Sequence, residues 1–110
     1  MSSRPPDLRV DLWIPLASEG GSRRTAALSG ITWRTVIRPD MGNDAAFEFD
    51  GVDSLAPGER CPARVTFVMP ELLEQRVVVG GEYIVGDQTR CEARFRVLDV
   101  LRPELEAHDQ

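Results

Sequence analysis

Hydrophobic residues recur at every second position along most of this chain. Leu8, Val10, Leu12, Ile14 and Leu16 alternate with Arg9, Asp11 and Trp13, and Pro15 falls near the end of the run. This pattern predicts a half-buried strand. Glu19-Gly20-Gly21-Ser22 signals a turn. The β-branched and aromatic run Ile31-Thr32-Trp33-Arg34-Thr35-Val36-Ile37 predicts a second strand. Pro39 to Asp44 reads as a loop, Ala46 to Phe49 as a short apolar strand, and Asp50-Gly51 and Ala56-Pro57-Gly58-Glu59 as turns. Ala63, Val65 and Phe67 then alternate with Arg64, Thr66 and Val68, and Pro70 stops the strand. Behind it, Glu71 to Glu74 suits one helical turn led by Pro70. Arg76 to Val79 reads as extended. Gly80-Gly81 either bulges that strand or turns it toward Tyr83-Ile84-Val85. Gly86-Asp87-Gln88 predicts a hairpin turn. The clearest strand is the last, with Cys91, Ala93, Phe95 and Val97 on one face and Glu92, Arg94 and Arg96 on the other.

Six to seven strands joined by short turns, with no amphipathic stretch long enough for a core helix, predict an all-β barrel or sandwich. The 110 residues fit one small domain without internal repeats. The expected organisation is a flexible polar arm over residues 1–7, a β domain over 8–101, and a polar tail over 102–110. Pro103 separates that tail from the last strand, and fraying is expected there. Runs such as Val77-Val78-Val79 are too short for a helical membrane span. The arm carries Pro5 and Pro6 and no apolar signal segment, so the expected address is the cytoplasm, with no membrane partner.

Composition narrows the chemistry. Thirteen basic residues, all of them Arg, face eighteen acidic ones for a formal charge of -5. Such a mean field repels phosphate, which disfavours non-specific binding to nucleic acid. With no Lys, a phosphate loop of the Gly-x-x-x-x-Gly-Lys type is excluded. The one histidine, His108, lies near the end of the chain, which leaves no Ser-His-Asp or Cys-His set for the folded body. Cys61 and Cys91 are thirty positions apart with no histidine nearby, so reduced thiols are expected ahead of a bridge or a zinc site. No cofactor, metal site or catalytic set is expected.

The order of elements resembles the C-terminal β-barrel, the third domain, of translation elongation factor Tu. Three stretches carry the resemblance. Leu12-Trp13-Ile14-Pro15-Leu16 leads into Glu19-Gly20-Gly21-Ser22-Arg23-Arg24-Thr25, where the family has a hydrophobic strand and then Glu-Gly-Gly-Arg-x-Thr-Pro. Phe49-Asp50-Gly51-Val52 and Leu55-Ala56-Pro57-Gly58-Glu59 run into Ala63 to Pro70, where the family has a Pro-Gly turn, a Val-Thr-Leu strand and a Pro stop. Glu82 to Thr89 resembles the closing hairpin. The similarity covers residues 8 to 101 and rests on order and spacing together. It implies a small six-stranded antiparallel closed β-barrel that hides its strand edges. It also implies a binding role, since the factor's chemistry resides in a GTPase domain with no counterpart in this sequence.

Within the resemblance, Arg23, Arg24 and Thr25 match the family's first loop and are the leading candidates for binding. At the closing hairpin Asp87 and Gln88 stand where the family has Gly and Arg, and both weaken anion binding. Ile31-Thr32-Trp33-Arg34 replaces the family's Tyr-Arg-Pro-Gln. The expected activity is therefore non-catalytic binding of a protein partner, with RNA or tRNA binding in translation as the alternative. Trp13 and Trp33 either anchor an interface or cap the barrel ends, and Arg34 joins them as a candidate contact. Arg64, Arg94 and Arg96 suit either a positive stripe or cross-strand ion pairs with acids such as Glu48 and Glu92. Asp44, Glu48, Asp50 and Asp53 lack calcium-loop spacing and read as a solvated acidic loop.

Overall fold

The computed structural model describes residues 5–16, 28–29, 31–38, 43–86 and 91–107. Among them run eight strands: β1 (Leu8–Trp13), β2 (Leu28–Ser29), β3 (Ile31–Arg38), β4 (Asn43–Phe49), β5 (Ser54–Leu55), β6 (Arg60–Phe67), β7 (Glu82–Gly86) and β8 (Cys91–Val100). Two short 3-10 turns, Pro70–Leu73 and Pro103–Leu105, complete the described elements. No helix among the described residues is long and apolar enough to cross a membrane.

Every pairing is antiparallel. β1 pairs with β6, β6 with β4, β4 with β3, β3 with β7, β7 with β8, and β8 with β1. The result is an all-β, barrel-like sheet curled on itself, with β2 and β5 as a separate two-stranded pair. The seam between β3 and β7 is the narrowest, with Val36 opposite Val85, Arg38 opposite Ile84 and an irregular step between them.

Alternation places one side of each strand in the core. Leu8, Val10 and Leu12 of β1, Ala45, Phe47 and Phe49 of β4, Ala63, Val65 and Phe67 of β6, and Ala93, Phe95 and Val97 of β8 are all buried. Small residues face large ones across the pairings, Ala45 opposite Phe67 and Ala63 opposite Phe49, so the interior fills with side chains. Phe95 stacks on Tyr83 with ring centres 4.9 Å apart and meets Phe47 edge-on at 5.8 Å.

Strand ends differ from the sequence expectation where local chemistry intervenes. β1 stops at Trp13 because Pro15 has no N–H to offer a ladder. Ile14 is still buried and exchanges backbone bonds with the 58–59 turn, while Leu16 turns out to solvent. β4 begins at Asn43, inside the expected loop. The Asn43 amide clamps the backbone of Met69, donating from Nδ2 to its carbonyl at 3.0 Å and accepting its N–H at 3.3 Å. Pro62 lies within β6. Its carbonyl accepts Asp50 N–H just past the end of β4, so its missing donor faces a place where the β4 ladder has already ended. Arg76 to Val79 is not a strand. Gln75 has a left-handed φ of 59°, only Val77 bridges to a neighbour, and a turn at Gly80 with φ 88° leads into β7.

Within the expected arm and tail, the described residues nearest the sheet, Asp7 and 102–107, are tied down. Asp7 is fully buried. Its carboxylate accepts Phe67 N–H at 2.7 Å and the Arg102 Nε at 2.8 Å, and its carbonyl accepts the N–H groups of Leu101 and Arg102. Beyond Pro103, Leu105 is buried, Val77 N–H donates to its carbonyl, and Ala107 N–H donates to Val77. Residues 102–107 therefore dock against the Leu73 and Val77 corner. Polar composition concealed this, because a single leucine supplies the anchor. The hairpin expected at Gly86-Asp87-Gln88 lies partly outside the described residues.

Candidate functional site

The outer face of β1 carries Arg9, Asp11 and Trp13, because the alternate residues are committed to the core. Antiparallel register sets their neighbours. Trp13 stands between Arg60 of β6 and Arg94 of β8, and Asp11 stands between Pro62 and Arg96. Cross-strand partners share a face, so Trp13 is bracketed by two arginines with a third one row away.

These groups are in contact. The Arg60 guanidinium lies 4.9 Å from the centre of the Trp13 ring. It also bonds the Asp11 carboxylate at 2.8 Å. Arg96 bonds the Glu82 carboxylate of β7 at 2.7 Å, and that bond makes the Arg96 guanidinium hold its proton still more firmly than usual. Arg94 differs from both. Its register partners are Trp13 on one side and Ile84 on the other. Between them its Nε is buried without an acceptor.

An open cleft of about 270 Å³ lies at this end of β1, lined by Trp13, Ile14, Gly58, Arg60 and Arg96. The Pro57-Gly58 turn forms one wall. It is laced to β1 by Gly58 N–H donating to Ile14 at 2.7 Å and Ile14 N–H donating to Glu59 at 3.1 Å. The Glu59 carboxylate caps the turn by accepting Ala56 N–H at 2.8 Å. Gly58 has φ 88°, and a Cβ there would meet the Leu16 side chain at 3.3 Å. Glycine thus both permits the turn and leaves room beside the cleft. Guanidinium groups do not release protons at neutral pH. The set therefore offers charge-assisted hydrogen bonds, an aromatic face and fixed geometry.

A second, smaller cleft of about 70 Å³ is lined by Pro70, Glu71, Glu74, Arg102, Glu104 and Leu105. Its one cation, Arg102, is already engaged by Asp7.

Of the residues singled out in the sequence, Trp13 is half-buried and lines the larger cleft. Arg23, Arg24 and Thr25 lie outside the described residues. Trp33 and Arg34 fall in β3, opposite Ala46 and Ala45 of β4. In the order of pairing β3 is three strands from β1 in either direction, so Trp33 and Trp13 do not share a strand pair. Two further arginines form ion pairs: Arg64 joins Glu48 and Asp50 at 3.0 Å each, and Arg9 joins Asp99 at 3.2 Å. Glu48 and Asp50 of the acidic loop are thus engaged by a cation. Cys61 and Cys91 are free thiols, on β6 and β8 respectively. Burial, with help from Asp11 and Asp50, pushes the Cys61 thiol up from its ordinary pKa. Sequence reading did not single out Arg60 as a site residue. Its signal was indirect: it lies just past the Pro57-Gly58 turn, but its meeting with Trp13 depends on a register that alternation does not reveal. Compared with known proteins, the chain matches no family model and no curated protein.

Proposed function

We propose that this chain is a non-catalytic binding module of the cytoplasm, its curled sheet a closed six-stranded barrel like the third domain of elongation factor Tu, and that it docks a protein partner. The observation that carries the reading is the indole of Trp13 set among Arg60, Arg94 and Arg96 beside an open cleft. Tryptophan and arginine are the residues most enriched where interfaces concentrate their binding energy. Arg23, Arg24, Thr25, Trp33 and Arg34 are proposed as further contacts of the same module. A protein is favoured over RNA because Arg9, Arg60, Arg64 and Arg96 are already neutralised by carboxylates on the sheet. Tight RNA binding instead needs several free cations tracking the phosphates.

The test is a pull-down with the purified chain from extract of its own cells, with recovered protein and RNA measured separately. One protein recovered without RNA, and lost with Trp13→Ala, is the expected result. Recovery of tRNA that elutes at modest salt overturns this reading in favour of a translation-related RNA-binding one.

A further inference from the structure

β1 starts at Leu8, next to Asp7, and ends at Trp13. Exposed apolar side chains gather at the Asp7 end. Six of the eight large ones among the described residues fall within 68–79 or at 101: Val68, Met69, Leu72, Val78, Val79 and Leu101. Backbone bonds tie these segments into one corner. The Asp7 carboxylate accepts Phe67 N–H, just before Val68, and the Asp7 carbonyl accepts Leu101 N–H. Gln75 N–H donates to Glu104, and Val77 N–H to Leu105. The 3-10 turn Pro70–Leu73 decides what faces out. With about three residues per turn, the buried Pro70 and Leu73 share its inner side. Glu71, Leu72 and Glu74 are left in solvent. Exposed apolar side chains gathered at one corner and rimmed by carboxylates mark an interaction surface.

Charge selects the occupant of this corner. Asp7, residues 68–79 and residues 101–106 hold five carboxylates, Asp7, Glu71, Glu74, Glu104 and Glu106, against two guanidiniums, Arg76 and Arg102. Arg102 is taken up by Asp7 at 2.8 Å, with Glu104 at 3.6 Å. Glu71, Glu74 and Glu104 line the cleft of about 70 Å³ beside it. Among the described residues Glu71 and Glu74 enter no ion pair. A second copy of the chain would bring the same negative charge and be repelled, as would an anionic membrane. We propose that the corner docks a cationic segment of a partner protein. Its apolar side chains lie on Met69 and Leu72, and its Lys or Arg heads meet Glu71, Glu74 and Glu104. The cleft admits one ammonium head, since a water-sized group takes about 30 Å³. Docking here needs neither Trp13 nor its arginines, so this is a second surface at the other end of β1.

The test is calorimetric titration of the chain with three synthetic peptides of equal length and the same helical spacing: leucine with lysine, serine with lysine, and leucine with glutamate. Saturable binding of the leucine–lysine peptide alone is expected, weakening as salt is added. Leu72→Ser removes a half-exposed apolar contact and weakens that binding about fivefold. Glu71→Gln combined with Glu74→Gln weakens it about fivefold at low salt, the loss of two exposed ion pairs. Val52→Ser alters an exposed valine beyond the far end of β4 and leaves the affinity within about twofold. The proposal is overturned by an absence of binding, by equal binding of either control peptide, or by equal losses in Leu72→Ser and Val52→Ser. A dimer of the chain alone that Leu72→Ser dissolves overturns it in favour of a second copy. If a variant loses its cooperative unfolding, the comparison of the three peptides on the wild type still decides. Failure here leaves the Trp13 surface standing, because recovery of a partner by Trp13→Ala reads that end separately.

Discussion

Asp7 shows how much one side chain can organise. Its carboxylate is fully buried, yet it closes three segments together: the start of β1, the end of β6 at Phe67, and the start of the C-terminal turn at Arg102. Removing it takes away the carboxylate that accepts Phe67 N–H and the nearer charge partner of Arg102. Asp7→Ala is expected to lower stability by about 3 kcal/mol. Arg102→Ala takes the cation away from a buried carboxylate and is expected to cost a similar amount. Urea denaturation of both single variants and the double variant checks this, and strictly additive losses would contradict a direct pair. Cys61 gives a pH signature. Its pKa is raised by burial in the folded state, so the neutral thiol favours folding. That contribution is fully present below the unfolded thiol's pKa of about 8.5 and is lost as pH rises from there through the folded value. Stability should therefore decline with pH in the alkaline range, and Cys61→Ala should remove that part of the slope. None of this was legible at the residue level. Asp7 sits beside Pro5 and Pro6 in a polar stretch, and its partners are 60 and 95 positions away.

At the scale of elements, periodicity identified faces better than ends. The inward sets of β1, β6 and β8 follow from strict alternation, because a half-buried strand has a period of two. Ends are set by particular bonds instead. The Asn43 clamp on Met69 starts β4 earlier than its apolar residues suggest. The β2–β5 pair is two residues long on each side and has no period to read. The triple valine at 77–79 carries high strand propensity, yet Val78 and Val79 are exposed and only Val77 packs. Tertiary position decides there, with the chain turning at Gln75 and again at Gly80. The C-terminal turn is held by Leu105, which is 1% exposed. Leu105→Ala should cost about 2–4 kcal/mol, as buried leucine truncations do. A frayed tail would lose nothing measurable, so a shift in the urea midpoint separates the two cases.

The whole molecule depends on which strands meet, and alternation is silent about neighbours. Trp13 and Arg94 were legible as outward residues, and the pairing of Arg64 with Glu48 follows one of the sequence's own alternatives. That Trp13 lies between Arg60 and Arg94 follows only from β1 lying between β6 and β8, strands some fifty and eighty residues onward. The candidate site is therefore a product of topology more than of any local motif. Interface energy concentrated on such a spot makes binding sensitive to one truncation, typically by about 2 kcal/mol or more at an aromatic anchor. The most direct measurement is recovery of the protein partner from cell extract by wild type and by Trp13→Ala, each shown to be folded by the same denaturation midpoint. The binding-module account predicts that a specific partner is held by the wild type and released by the variant. A partner retained in full by Trp13→Ala would contradict it.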